Sequence, residues 1–441
     1  MSKLAISGGT KTLDDSIKMK WPIITQADKD SVMRVLDSGI LWGVYAPEMR
    51  KLEKEFADYI GTKFCIAVNS GTAALHCAVA AANIGPGDEV ITPAFSFIAS
   101  AVSILHNNAI PVFVDIDPET FNIDVRKIEE KINPQTKAIM PVHIHGCPAE
   151  MDEINIIAKK HNLIVIEDAC QSHGSTYKGK KTGNLGDMAV FSLNATKNLP
   201  GGEGGLFVTN NEEYRGKANM LRMFGEFVEE NEGRKYKSFS MGWNYRTQEM
   251  PCALTRSQLK RLDSNNKLAL DNSTFLNKEL SKIEGIKIQR VPIYSTSCYH
   301  KYRIRFDWDV FNLNEENAHL FRDKIRIALM AEGVDAVLWQ TTTIPEQPIF
   351  KIMEGYGKGC PWICDYAKNK YNYENENYPE TTKLVKDSIV IGSEIFPIYS
   401  NGHIVMEKYV EAFNKVFSNL DEVMKINIID TDEQIMGISR K

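Results

Sequence analysis

No run of about eighteen apolar residues occurs anywhere in this 441-residue chain, so the sequence offers no membrane-spanning helix. Nor does it carry a basic block: 52 lysines and arginines are interspersed among 57 acidic residues, for a formal net charge of -5. Nucleic acid is therefore not an expected partner, and no helix-turn-helix pattern argues otherwise. The opening residues, from Met1 to Thr10, lack the apolar core of a signal peptide, and a cytoplasmic protein is expected. Internal repeats and low-complexity tracts are missing as well. The eight cysteines are thinly spread, mostly in apolar runs where a thiol acts as a small hydrophobe, so disulfides are not implied. Only Cys360 and Cys364 are close. A zinc site would need two further ligands at recognisable spacing, and none is nearby, so no metal is expected. That stretch reads instead as a partly buried loop anchored by Trp362.

The composition is that of a globular protein, 43% hydrophobic and 25% charged. The chain is too long for one comfortable core, and two domains are expected, 1–262 with an irregular N-terminal arm and 263–441. Thr25 is placed to cap a helix over 27–38 that Gly39 ends, and Met49, Leu52, Phe56 and Tyr59 give a second helix, over 48–59, its apolar face. Short apolar runs then alternate with helical stretches, with strands expected at 64–68, 89–92, 110–115, 138–143, 163–167, 188–193 and 205–209. The pattern is that of an α/β domain with a mainly parallel sheet, whose ligands gather at the carboxyl ends of the strands. Further on, 254–283 reads as one long helical stretch and 299–306 as a half-buried strand. Residues 355–382 are too many for an ordinary connection and read as a functional or mobile loop.

Candidate chemistry falls at those strand ends. Lys197 lies between an apolar run and the glycine-rich turn Pro200-Gly201-Gly202-Glu203-Gly204-Gly205, a setting in which a lysine can condense with a carbonyl. Pyridoxal phosphate (PLP) is the aldehyde cofactor that suits it. Gly71, Thr72 and Ala73, between a strand and a helix, can point N–H groups at a phosphate; the same residues also read as a plain helix cap. Asp168 directly follows a buried strand, where it can face a pyridine nitrogen or serve as a local cap. Phe97 suits stacking on a ring and Ser192 a phosphate contact, although core packing and a local backbone bond explain them equally. Asn244 and Arg246 form a polar pair in an aromatic setting. Trp42, Tyr45, His300 and Lys301 are further candidates for substrate contact, against ordinary packing for the first two and a solvated strand face for the last two.

As an ordered set, Gly71-Thr72, Phe97, Asp168-x-x-Gln171, Ser192-x4-Lys197 and Asn244-Tyr245-Arg246 resemble the DegT/DnrJ/EryC/StrS family of sugar aminotransferases, best over about residues 40–260. The resemblance implies a fold-type-I, PLP-dependent aminotransferase with a large α/β domain, a smaller C-terminal α+β domain and a homodimer with shared active sites. It implies that Lys197 carries the cofactor and shuttles protons, that Asp168 pairs with the pyridine nitrogen, and that Gln171 reaches the ring hydroxyl. It gives Phe97 the stacking position, Ser192 and the Gly71–Ala73 turn the phosphate, and Asn244 the neighbouring subunit's cofactor. Relatives with histidine in place of the lysine are dehydratases, whereas this chain keeps Lys197. The stretches Leu4 to Thr10 and Thr120 to Asp124 are similar to the aminocyclitol and aminohydroxybenzoate branches. The expected reaction moves an amino group from glutamate or glutamine to a keto sugar, nucleotide-linked, or to a ketocyclitol. The alternatives are a PLP-dependent dehydratase or aromatising enzyme and a non-catalytic PLP-binding regulator. In such proteins the variable C-terminal segment, here 355–382, borders the substrate entrance.

Overall fold

In the computed structural model, which describes residues 2–43, 46–228 and 234–428, strands follow the apolar runs. They are β1 Phe64–Val68, β2 Glu89–Pro93, β3 Ile110–Val114, β4 Thr136–Ile139, β5 Ile164–Asp168, β6 Thr176–Tyr177, β7 Lys180–Lys181, β8 Met188–Ser192 and β9 Gly205–Thr209. The second half adds β10 Ile286–Ile288, β11 Ser295–Thr296, β12 Tyr302–Phe306, β13 Ala336–Val337 and β14 Ser388–Ile391. Seven strands form the central sheet in the order β1-β9-β8-β5-β4-β2-β3, in which β9 alone runs against the others. Nearly every residue of these strands is buried, which is why they appear in the sequence as continuous apolar runs and not as alternating patterns. The helix Gly71–Ala81 packs on the sheet with almost all its residues buried, and its alanines let it lie close.

Local signals were sound where the backbone chemistry is specific. The N–H of Thr25 donates to Asp28 at 2.7 Å in a capping box that opens the helix Gln26–Ser38, and Gly39, with φ of 67°, closes it. The helix Pro47–Ile60 ends likewise on Gly61. Three boundaries differ from expectation. The expected strand at 138–143 stops at Ile139, because Pro141 has no N–H for the ladder and only a single bridge, Val142 to Asp168, continues the pairing. The stretch 254–283 is divided among Glu249–Leu259, Leu262–Leu280 and a short turn. Between the helices Arg261 leaves helical register and donates to Asp28 at 2.7 Å, a tertiary contact that no local pattern announces. The expected strand at 299–306 begins only at Tyr302.

A second, antiparallel sheet, β10-β12-β14-β13, packs Tyr302, Ile304 and Phe306 against Leu276, Phe321, Tyr409 and Phe413. Leu4, Leu13 and Trp21 of the N-terminal arm are buried in this same cluster. The small sheet β11-β6-β7 joins the two halves. Among the described residues no helix is long and apolar enough to cross a membrane.

Cys360 and Cys364 correct the cysteine reading: their Cα atoms are 5.4 Å apart and the two form a disulfide. The pairing depends on a tight turn that the sequence spacing does not reveal. Trp362 is the anchor expected of this loop, 4% exposed and donating from Nε1 to the Tyr373 hydroxyl at 3.1 Å. The segment packs on Phe113 of the edge strand β3, and Asn369 and Tyr371 donate to Glu89 at 2.6 Å each, at the amino end of β2. It is fastened also beyond the carboxyl end of β3, where the N–H groups of Glu380 and Thr381 donate to Asp115 at 3.1 and 2.9 Å, but none of its described residues lines the cavity at the strand carboxyl ends.

Candidate active site

The carboxyl ends of β1, β2, β5 and β8 and the turn leading into β12 open on one cavity of about 470 Å³. Each strand delivers one piece. After β1, Ser70 caps the helix Gly71–Ala81 by accepting from the N–H of Ala73 at 3.0 Å. The N–H groups of Gly71 and Thr72, orphans of the first helical turn, therefore remain for the cavity, and the helix dipole adds positive potential there. The Ala73 N–H is engaged by Ser70, and Ala73 is not among the residues that line the cavity. Ser192, at the end of β8, faces the same place, and its hydroxyl proton is free because its oxygen only accepts, from the N–H of Asn194 at 3.4 Å.

Asp168 ends β5 and lines the cavity while 4% exposed. Ser100 donates its hydroxyl to one carboxylate oxygen at 2.7 Å and the N–H of Cys170 reaches the other at 3.2 Å. Gln171 is oriented through its carbonyl, which accepts from the N–H of His145 at 2.9 Å. His145 is in turn held by Arg303, whose Nε–H donates to its Nε2 at 3.0 Å, so the ring is neutral with its proton on Nδ1. Burial, then the Arg303 charge, pushes His145 well below an ordinary histidine. Phe97, 52% exposed, presents its ring to the cavity and does not pack in the core.

Lys197 sits in a turn clamped from several sides. Its N–H donates to the Asn194 carbonyl at 2.9 Å, and Asn194 Oδ1 accepts from both the N–H and the hydroxyl of Thr196. From outside, the Trp21 indole donates to the Lys197 carbonyl at 3.2 Å and the Tyr399 hydroxyl to that of Thr196 at 2.8 Å. Asn198 donates to the Cys298 carbonyl at 2.9 Å and meets His300 Nδ1 at 3.1 Å. Burial holds the Lys197 amine below the usual lysine range, and the Asp168 and Glu394 carboxylates offset this only in part. Nearby His173, buried and beside Lys197, is pushed down to about 3 and stays neutral.

His300 and Lys301 also line the cavity, and both are buried where a solvated strand face was the competing reading. Trp42, Asn244 and Arg246 form a separate cluster. Arg246 lies 4.8 Å from the Trp42 ring centroid and donates to Asn244 at 2.8 Å. The Asn244–Tyr245 backbone runs beside the Ser70 turn through bonds to Asn69, yet none of the three lines the cavity. Tyr45 lies outside the described residues. Sequence reasoning missed Ser100, Asn198, Trp21, Trp339, Glu394 and Tyr399. They come from five separate stretches of the chain and carry no local motif.

The donor set fits PLP. An anion seat of two N–H groups and a hydroxyl, a carboxylate aimed into the same cavity, an exposed aromatic face and a buried amine of lowered basicity correspond to the cofactor's phosphate, pyridine nitrogen, ring and aldehyde.

Residues 22–387 match the DegT/DnrJ/EryC1/StrS aminotransferase family. The spore coat polysaccharide biosynthesis protein SpsC of Bacillus subtilis is 37% identical over 406 residues, 91% of this chain and 97% of that protein. GDP-perosamine synthase of Caulobacter vibrioides is 44% identical over 247 residues, 56% of this chain and 65% of that one. Among solved structures, an aminotransferase from Psychrobacter cryohalolentis superposes with a TM-score of 0.79 at 30% identity, over 92% of this chain and 100% of that one. NtdA from Bacillus subtilis, solved with its cofactor PMP bound, gives 0.72 at 25% identity over 91% and 83%. Sequence, fold and donor set agree, and the chain belongs to the DegT/DnrJ/EryC1/StrS family of PLP-dependent aminotransferases.

Proposed function

We propose that this enzyme transfers the amino group of L-glutamate or L-glutamine to a keto sugar carried on a nucleotide. The observation that carries the reading is Lys197, buried and of lowered basicity, in one cavity with Asp168 and the Gly71–Thr72–Ser192 anion seat. Bound PLP supplies the electron sink that makes the carbon–hydrogen bond beside the amine acidic. Lys197 would bind the cofactor covalently and, once displaced by the donor, its free Nζ would take the proton from that carbon and deliver it to the former aldehyde carbon of the cofactor. Asp168, fixed by Ser100 and the Cys170 N–H, would keep the pyridine nitrogen protonated. Gly71, Thr72 and Ser192 would hold the phosphate, Phe97 would cover the ring, and the Gln171 amide N–H2 would serve the ring hydroxyl.

The sugar acceptor is supported by the named activity of GDP-perosamine synthase, at 44% identity. A working homodimer belongs to the same proposal. The exposed rings of Trp42 and Phe224 flank Arg246, which is bonded to Asn244, and in the proposed dimer this cluster would meet the second subunit's cofactor. The test is the visible spectrum of the PLP-loaded enzyme. Adding L-glutamate or L-glutamine alone should convert the cofactor to its amine form, and Lys197→Ala should abolish both half-reactions. Substantial turnover by Lys197→Ala would overturn the reading.

A further inference from the structure

Lys301 stands one residue before β12, 8% exposed, and lines the cavity together with Lys197, His300, Trp339 and Glu394. Among the described residues its ammonium has no hydrogen bond and no ion pair, and Nζ lies 5.8 Å from the centroid of the Trp339 ring. Its neighbours are all accounted for. Arg303 directs its donors to His145, Ser388 and the Trp339 carbonyl. His300 is bonded to Asn198, and burial followed by the Lys197 and Lys301 charges holds it well below an ordinary imidazole, hence neutral. Glu394 makes no ion pair with Lys301. A buried cation with no hydrogen-bonded anion, on which the Glu394 carboxylate acts only at a distance, is costly to the fold and is retained where a ligand supplies a closer one.

We propose that Lys301 is the seat for the α-carboxylate of the amino donor. The inference rests on the transamination reading above and deepens it. Lys301 and Lys197 share one cavity and feel each other's charge, so an anion on Lys301 is close to the carbon on which Lys197 works. An α-carboxylate is bonded directly to that carbon, whereas the phosphates of a nucleotide sugar are several bonds removed from the reacting one. Burial brings Lys301 down to about 8, with Glu394 raising it and Lys197 and Arg303 lowering it further.

The probe is glutarate, which has the donor's carboxylates and no amine, titrated calorimetrically into PLP-loaded wild type, Lys301→Met and Lys301→Arg. Lys301→Met should weaken glutarate by about ten-fold or more, one charge-assisted contact, while Lys301→Arg retains most of the affinity. The cofactor band should be unchanged, and the melting temperature of Lys301→Met should equal or exceed that of wild type, because an unpaired buried charge has been removed. In wild type, glutarate binding requires the ammonium and so should fade as pH rises through about 8; in Lys301→Met the profile should be flat. Unchanged glutarate affinity in Lys301→Met overturns the proposal, as does a flat wild-type profile if that variant does not fold. Loss of inorganic diphosphate binding with glutarate intact would overturn it in favour of a nucleotide contact. A glutamate-responsive cofactor band alongside any of these leaves the transamination reading standing, whereas absence of the band removes that reading itself.

Discussion

Replacing Gly71 with alanine sets two effects of opposite sign against each other. Gly71 opens its helix without a left-handed φ, so alanine is allowed there, and helix propensity alone would favour it by up to about 1 kcal/mol. Against this, the new Cβ would lie 2.9 Å from Ser192 Cβ, 3.2 Å from Cys170 Sγ and 3.3 Å from Ser192 Cα. Ser192 is locked opposite Gly205 in the β8–β9 ladder, so the strand cannot give way cheaply. Overpacking of this kind costs about 1–3 kcal/mol, which outweighs propensity and leaves a net loss of up to about 2 kcal/mol. The functional effect should be larger. Pushing the helix start away from Ser192 separates the Gly71 and Thr72 N–H groups from the hydroxyl with which they converge on one phosphate. Hydrogen bonds to a charged group contribute about 1.5–3 kcal/mol, so PLP affinity should fall about 10- to 100-fold. Titration of the apoprotein with PLP by absorbance, with thermal unfolding in parallel, measures both. Wild-type affinity in Gly71→Ala would refute the phosphate seat, and a gain in stability would refute the steric argument.

Glu332, fully buried, accepts from the Ala5 N–H at 2.8 Å, the Thr12 N–H and hydroxyl at 3.2 and 2.7 Å and Lys415 at 2.8 Å, tying the N-terminal arm to the C-terminal helix His403–Phe417. Burial works to raise its pKa, but the Lys415, Ala5 and Thr12 bonds together hold it below the usual glutamate range. Glu332→Gln should cost about 3–5 kcal/mol at neutral pH. Because the folded pKa is depressed, the carboxylate's contribution is present above the unfolded value of about 4.3 and is lost as pH falls through the folded one, so urea melts of the two proteins should converge in acid. A difference independent of pH would count against this account. Arg305 and Asp387 form a second buried link, with Nε and Nη2 at 3.0 and 2.7 Å from the carboxylate and the Trp308 indole at 2.8 Å. Arg305→Met should destabilise by about 3–5 kcal/mol, while the double variant with Asp387→Leu should recover much of the loss. A single-variant cost below about 1 kcal/mol in denaturant melts would show the pair to be solvated in practice.

The site was legible in proportion to how much of it sits at the ends of central strands. Asp168, Ser192 and Gly71 each follow a run of buried residues, and a polar or small residue at that point has few purpose-free explanations. Lys197 was legible because the glycines after it mark a tight turn. Ala73 shows the limit of such reasoning: three consecutive N–H groups look equivalent in sequence, and only the Ser70 side chain decides which of them is already taken. Lys301 shows the opposite case. Strand alternation predicted a solvated charge, but the neighbouring half of the molecule closes over it.

By itself the sequence determined the α/β alternation, the strand order along the chain, the caps at Thr25 and Gly39, and the residues that make the family match. These are matters of local periodicity, backbone sterics and short motifs, all carried by neighbours in the chain. Tertiary structure alone decided that the 355–382 segment fastens to Glu89 at the far end of β2. It also joined Trp21 and Tyr399, 378 positions apart, at the backbone of Thr196 and Lys197, and left Lys301 buried with no hydrogen bond or ion pair among the described residues. Burial, and with it the basicity of Lys197 and Lys301, depends on which distant segments exclude water from a side chain, and that is a property of the packed chain as a whole.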